Sequence, residues 1–157
     1  MAASFLTQGR LALIEALRAD LTLRERIREV HWFTWGSGLR RRLVIEPSEC
    51  PCISIAPAEG GVDLLANVVA EIPQVVQVNL YTAGQNVEPM EDLLAALYNV
   101  VATARVSCLG LASEGLSNVQ TTGTTWLAIE STEGAELIWN TTTNVRLTWR
   151  RLRPLTE

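Results

Sequence analysis

The chain has 157 residues, a formal net charge of −4 and 48% hydrophobic residues, which suffices for one domain, 1–157, with a sizeable core. The negative charge argues against nonspecific nucleic-acid binding as the main function, because such binding needs surplus cations. Three cysteines, two of them in Cys50-Pro51-Cys52, do not make a disulfide framework, and the N-terminal stretch lacks a basic region followed by an unbroken apolar one. We therefore expect a protein of the reducing cytoplasm with no membrane-spanning segment.

The N-terminal third predicts two helices followed by an aromatic stretch. Apolar residues recur on one face over Leu6 to Arg18, as in an amphipathic helix. Thr22 to Glu25 has the form of a capping box, which predicts a second short helix ending near Val30. The aromatic run from His31 to Trp35 is too apolar for a solvent loop, and we expect it to pack under a sheet.

Three segments before residue 73 are candidate strands, and two of them alternate apolar and polar residues clearly. Leu39 to Glu46 predicts an edge strand, because Arg41 shares the apolar parity. Cys52 to Ala56 predicts another strand, closed by Pro57. Val62 to Ile72 fits either a helix period or an extension of the next strand, and the strand is the favoured interpretation.

The centre of the chain predicts a strand followed by a strongly amphipathic helix. Gln74 to Thr82 alternates apolar and polar residues, as expected for a strand with one buried face. Pro89, followed by two acidic residues, is typical of a helix start, and the apolar stripe continues to about Ala104. Leu94 and Leu97 lie on that stripe, so we expect both to be buried against the sheet.

The last third predicts a hairpin. Thr125 to Ser131 and Ala135 to Asn140 flank the turn around Gly134, whereas Leu116 to Gly123 is either a twisted strand or a loop. Val145 to Arg151 alternates again, as a separate strand or as a continuation of the hairpin. The whole pattern predicts an α+β fold, in which a mixed, largely antiparallel sheet packs against one central amphipathic helix and an N-terminal helix.

The sequence offers little for catalysis. His31 is the only histidine and lies beside a tryptophan, which favours a structural role over a catalytic one. Cys50 and Cys52 lack a second pair of ligands to complete a metal site. No lysine occurs, so the chain has no phosphate-binding loop. We predict no enzyme activity, no cofactor and no metal site.

Charge is distributed unevenly. Every cation is an arginine, and none occurs between Leu43 and Ala104, a span that holds eight acidic residues. Arginines concentrate instead at 40–42 and at 146–153. Together with five tryptophans, this separation suggests side-by-side association of copies of the chain.

The order of these elements resembles the tail-terminator family of long-tailed bacteriophages. The similar features are the N-terminal helix with its aromatic-glycine end, Pro51-x-Ile53-x-Ile55, the strand Val76 to Tyr81, the helix Glu91 to Leu97 and the C-terminal hairpin. The resemblance spans nearly the whole chain but contains no diagnostic motif. It implies a virion protein of the head-proximal end of the tail, assembled in the host cytoplasm.

The same resemblance implies a hexameric ring that caps the tail tube, ends its growth and offers a surface to neck and head-completion proteins. DNA would meet such a ring only by passing through its lumen. Because a closed ring of this size uses two different surfaces per subunit, we predict ion pairs between subunits. The predicted interface residues are Arg40, Arg42, Arg146 and Arg150 on one side, and Glu46, Glu59, Asp63, Glu71, Glu88 and Glu91 on the other.

Two alternatives remain open at the level of the sequence. A neck or head-tail joining protein of the same virion would share this size and folding style. A small cytoplasmic enzyme with a cleft near His31 and Glu46 would need a converging set of polar groups, which the sequence does not display.

Overall fold

The computed structural model describes residues 3–34, 45–58, 63–64, 69–130 and 136–152. Within these ranges the chain forms three α-helices, six strands and several short 3₁₀ turns. The helices are α1 (Phe5–Ala19), α2 (Leu21–Arg26) and α3 (Glu88–Ser107). The strands are β1 (Trp32–Thr34), β2 (Cys52–Ala58), β3 (Asp63–Leu64), β4 (Val69–Ala83), β5 (Leu116–Glu130) and β6 (Leu137–Leu152).

The strands form one mixed sheet in the order β1-β2-β4-β6-β5, and β3 pairs with β4 beyond the end of β2. Only β1 and β2 are parallel, and all other pairs are antiparallel. The longest ladder joins β4 to β6, from Val69 opposite Leu152 to Ala83 opposite Ile138. The predicted α+β class with a largely antiparallel sheet is confirmed.

Helix α3 packs on one face of the sheet and supplies much of the core. Its start at Glu88 and Pro89 agrees with the predicted one, and its apolar stripe is covered, with Leu94 and Leu97 both buried as expected. By length and composition, Glu88–Gly110 would also pass as a membrane span. A core helix of a soluble protein passes the same test, and the stripe of α3 is packed against protein.

Helix α1 crosses the same face of the sheet at close range. Gly9 lies so near Trp149 that a Cβ added to this glycine would be 2.6 Å from the indole Cζ2. Gln74 of β4 joins the two elements, because its side-chain amide donates to the Leu6 carbonyl at 2.7 Å and its oxygen accepts from the Trp149 indole N–H at 2.9 Å. The ring of Phe5 packs edge-on against Trp149. A glycine and one amide thus fix this helix on the sheet.

Three local predictions were wrong. The predicted capping box at Thr22 does not cap α2, because the cap is Asp20, two residues earlier, whose carboxylate accepts from the Leu23 N–H. The helix ends at Arg26, before the predicted Val30. Pro57 does not close β2, which continues to Ala58.

Several segments that the sequence left ambiguous are strands where the structure describes them. The favoured interpretation of 62–72 as an extension of the next strand holds for 69–72, which begin β4, but not for 63–64, which form the separate strand β3 and pair antiparallel with β4. Segment 116–123 belongs to β5, whose register shifts twice along β6. Segment 145–151 continues β6 without interruption. Most of the predicted edge strand from Leu39 to Glu46 lies outside the described residues, and Ile45 and Glu46 are not in a strand.

Candidate interaction surfaces

Helices cover one face of the sheet, and the predicted interface residue Arg150 points to the other, together with Glu71. The two residues are register partners on β6 and β4, and the Arg150 Nε lies 3.6 Å from a Glu71 carboxylate oxygen. The sequence placed them on facing sides of neighbouring subunits, but the structure brings them together within one chain. Their side chains are 61% and 29% exposed, so the pair contributes roughly 0–1 kcal/mol to folding.

Arg146 lies on the same face of β6, between Val75 of β4 and Gln120 of β5. It is half-buried, and its Nε has no hydrogen-bond partner in the part of the chain that the structure describes. The alternation of β6 predicted an outward-directed arginine, but part of this side chain is covered by the sheet and its neighbours. An arginine held against a sheet with an unused donor is suited to a planar acceptor such as a carboxylate.

The predicted acidic side is only partly described. Glu46 is exposed and closes the short turn at Pro47, where its backbone N–H donates to the Glu49 carboxylate. Glu88 and Glu91 are exposed in the first turn of α3, where carboxylates stabilise a helix start. The remaining predicted residues, or their side chains, lie outside the described part: Arg40, Arg42, Glu59 and the side chain of Asp63.

The most apolar exposed surface is the outer edge of the sheet. Strand β5 pairs with β6 along its length, and no strand among the described residues pairs with its other edge. Near its end three large apolar side chains are exposed: Trp126 by 43%, Leu127 by 56% and Ile129 by 38%. We call this stretch, 126–129 of β5, the apolar edge. The alternation of 125–131 predicted a strand here, but it carried no signal that the strand lies at an edge.

Residues beside the apolar edge are ordered on the helix-covered face. The indole of Trp126 packs edge-on against that of Trp139, with ring centroids 6.3 Å apart. The Trp139 indole N–H is buried and has no partner among the described residues. Tyr98 of α3, which is 40% exposed, shares a 2.6 Å hydrogen bond with the Thr124 hydroxyl. The edge is therefore backed by packed aromatic side chains.

The residues considered for catalysis do not converge. His31 is half-buried at the end of a short 3₁₀ turn, its Nδ1 has no partner in the described ranges, and no described hydrogen bond or ion pair joins it to Glu46. The described residues contain no group of three or more histidine, cysteine or acidic side chains suited to a metal ion.

The two cysteines of the Cys-Pro-Cys segment form no disulfide within the described part of the chain, and they influence each other and Tyr81. A hydrogen bond from Cys52 lowers the pKa of the Cys50 thiol, against the opposing effects of burial and of Glu49 and Glu136. Burial raises the pKa of Tyr81, and the neighbouring thiols Cys52 and Cys50 raise it further. Tyr81 is the register partner of Cys52 across β2 and β4, which explains their contact.

The sequence matches no protein-family model and no curated protein. Among solved structures, the fold is similar to a chain described as "Virion of native gene transfer agent (GTA) particle". The match has a TM-score of 0.54 and 14% sequence identity, and it covers 92% of this chain and 99% of that chain. The likeness is one of fold over almost the full length of both chains.

Proposed function

We propose that the protein is a structural protein of a phage-like virion that caps the tail tube as a ring, ends tube growth and joins the tail to the head. The observation that carries the proposal is the apolar edge of β5. The fold likeness to a virion chain supports it, because the match accounts for nearly all of both chains. Its chemistry is that of surfaces, with homo-oligomeric contacts, the tube protein and neck or head-completion proteins as partners.

An exposed edge strand with apolar side chains is a template for association. Its unpaired N–H and C=O groups accept a further chain, and soluble monomers normally protect such edges with charge, proline or a covering segment. The stretch Trp126 to Ile129 contains neither a charged residue nor a proline, and no strand of the described residues pairs with its outer side. A neighbouring subunit would provide the cover, and in a ring that neighbour presents a different surface from its own edge.

The area involved is sufficient to contribute to assembly. A tryptophan offers roughly 250 Å² of surface, so the 43% of Trp126 that is exposed corresponds to about 100 Å². Covering this area would contribute about 2.5 kcal/mol per contact at about 25 cal/mol/Å². Leu127 and Ile129 add to it, and one surface ion pair contributes roughly 0–1 kcal/mol. In this proposal the apolar edge supplies most of the affinity, and the arginines and acids set the register.

The ionic side of the interface rests on the residues that are free to pair. Arg146 is half-buried, and its buried Nε has no partner among the described residues, so its guanidinium is less committed within the subunit than that of Arg150. Glu88 and Glu91 are exposed at the start of α3. Arg150 and Glu71 would enter an interface as an existing pair to which a neighbour adds a further charge. Arg40, Arg42, Glu46, Glu59 and Asp63 remain part of the proposed set.

The first experiment compares two double variants of the whole chain. Trp126→Ser with Leu127→Ser removes the apolar edge, whereas Leu11→Ser with Val106→Ser removes two exposed apolar side chains from helices and serves as the matched control. Native mass spectrometry measures the oligomer, and electron microscopy measures tube length after mixing with tube subunits of the same virion. We expect the edge variant to stay monomeric and tubes to exceed normal length, with the control unchanged. Intact rings from the edge variant would refute this interface.

A second experiment tests the arginines. Arg146→Glu with Arg150→Glu should give a subunit that fails to cap tubes, because two cations of the proposed interface become anions. Since Arg150→Glu also places two carboxylates opposite each other within the chain, circular dichroism first verifies that the variant folds. Unchanged tube length would reject the arginine interface. If the wild-type protein does not bind purified tubes even at high concentration, the capping role itself is rejected, and a neck or head-tail joining protein becomes the favoured alternative.

Loss of His31 should not affect these assays, because no described polar group converges on its ring. We therefore expect His31→Ala to assemble normally when it folds. Circular dichroism verifies folding, and loss of capping in a well-folded His31→Ala protein would favour the enzyme alternative.

A further inference from the structure

A small cavity lies where α1 ends, α2 crosses and β1 begins. Its volume is about 250 Å³, and it is lined by Arg18, Arg24, Ile27, Glu29 and Trp32. Ile27 and Trp32 are almost fully buried and form an apolar interior, whereas the two arginines and the glutamate are exposed at its mouth. The cavity therefore combines an apolar floor with a charged entrance.

The two arginines at the mouth are available for a ligand. The Arg18 guanidinium lies 5.4 Å from the centre of the Trp32 ring, a cation–π contact that positions it over the indole. Within the described part of the chain, neither Arg18 nor Arg24 forms an ion pair with a carboxylate. A positioned guanidinium is suited to a carboxylate or a phosphate.

We propose that this cavity binds an acidic segment of another protein, in which a carboxylate side chain lies next to an apolar one. The carboxylate would meet Arg18 and Arg24, and the apolar side chain would enter toward Ile27 and Trp32. This proposal does not depend on the proposed capping function.

Two features favour a protein segment over a nucleic acid or a free anion. Among the described lining residues, Glu29 offsets one of the two arginines, and the net charge of −4 on the whole chain disfavours a polyanion. Leu21 of α2 and Val30, next to Glu29, are exposed apolar residues on the same two segments as the cavity. A partner with apolar side chains beside its carboxylate complements both features.

The test uses defined probes and the full chain labelled with ¹⁵N. The probe Ac-Leu-Glu-Leu-NH₂ is titrated while the indole N–H resonance of Trp32 is followed, and Trp32→Phe serves to assign that resonance. Matched probes are Ac-Leu-Gln-Leu-NH₂, which lacks the charge, and Ac-Ser-Glu-Ser-NH₂, which lacks the apolar side chains. Inorganic phosphate and a short single-stranded oligonucleotide represent the other ligand classes.

We expect saturable shifts with the first probe and about tenfold weaker binding of the glutamine probe, because a charge-assisted hydrogen bond is lost. The serine probe should also bind more weakly. Arg24→Gln should weaken the first probe by a similar factor, while Arg105→Gln, which changes an exposed arginine on α3, should not. Both variants change exposed side chains, and their spectra show whether they fold.

Four outcomes would overturn the proposal. Equal binding of the glutamine and glutamate probes would exclude recognition of the carboxylate. Phosphate or the oligonucleotide shifting the Trp32 resonance at lower concentration than the peptide would assign a phosphate site instead. Shifts that appear on concentrating the protein without any probe would make a second copy the occupant. If the Trp32 resonance does not shift at the highest soluble concentration of the peptide, binding at this cavity is excluded.

Discussion

Replacing Gly9 by alanine should destabilise the protein, although the same change in an exposed helix would stabilise it. Alanine gains about 0.8–1.0 kcal/mol over glycine in a helix interior. Here the new methyl group would lie 2.6 Å from the ring of Trp149 and 3.0 Å from both the Gln74 side-chain oxygen and a Leu147 methyl carbon. Trp149 is fully buried, so the ring has no free space into which to move.

The steric cost exceeds the helical gain. Overpacking of a well-packed core costs about 1–3 kcal/mol, and displacing Gln74 from its 2.9 Å bond with Trp149 adds about 0.5–1.5 kcal/mol. The expected net destabilisation of Gly9→Ala is therefore about 0.5–3.7 kcal/mol. For a chain of this length it corresponds to a Tm lower by roughly 1–15 °C.

Urea unfolding followed by circular dichroism measures this free energy, with Ala95→Gly as the calibration. Ala95 is exposed on α3, so that variant reports the propensity term alone, about 1 kcal/mol of destabilisation. In the Trp149→Phe background, which lacks the contacting ring atom, Gly9→Ala should cost less, and a double-mutant cycle isolates the difference. A Gly9→Ala protein as stable as wild type or more so, or a cycle without coupling, would refute the close packing of α1 on the sheet.

Three further predictions concern the core, the surface pair and pH. Leu97→Ala removes a fully buried side chain and should lower the free energy of unfolding by about 2–5 kcal/mol. Val106→Ala, at an 89% exposed position of the same helix, should change it by less than about 0.5 kcal/mol. Equal effects of the two variants in urea unfolding would contradict the orientation of α3. Arg150→Ala should cost less than about 1 kcal/mol, and any cost should shrink at high salt, because the pair is exposed; a loss that persists in 1 M salt would argue against a screened ion pair. Folding raises the pKa of Tyr81, so the stability that this phenol contributes is present below its unfolded pKa and is lost as the pH rises through the folded pKa. In denaturation measured across the alkaline range, the free energy of unfolding should therefore decline less for Tyr81→Phe than for the wild type. Identical profiles would contradict the shift.

Periodicity predicted the central elements because burial on one face imposes it. The alternation of 74–82 and the stripe of α3 follow from a strand and a helix that share one apolar layer, so both were predicted within a few residues. At the start of α2, two residues were possible helix caps, and the sequence alone did not distinguish them. Asp20 and Thr22 both have capping side chains, and the end of α1 at Ala19 makes Asp20 the cap of the next helix.

Proline did not mark the strand ends in this chain, because two prolines lie within strands. Pro57 lies within β2, past the three residues that pair with β1, so its missing N–H is not needed on that side. Pro73 lies within β4, between the stretches that β3 and β2 pair. In both cases the position of the neighbouring strand determines whether a proline is tolerated, and this position cannot be read from the local sequence.

The candidate surfaces were the least predictable part. Alternation along β6 showed which arginines share a face, but not that Glu71 of β4 lies opposite Arg150. That contact depends on a register between segments almost 80 residues apart. The apolar edge was likewise hidden, because an alternating apolar strand looks the same in sequence at the edge of a sheet and inside it.

The order of strands in the sheet also constrains how the chain is made. β4 has β6 as its partner along its full length, but β6 ends about 70 residues later in the sequence. At roughly 5–20 residues per second, a ribosome needs about 4–14 s to synthesise that interval. During this time β4 emerges with one side unpaired, whereas the β5–β6 hairpin closes locally and forms quickly. We therefore expect the hairpin to dock on β4 after β4 has formed, and a chaperone that shields β4 until then to raise the yield of correctly folded chains.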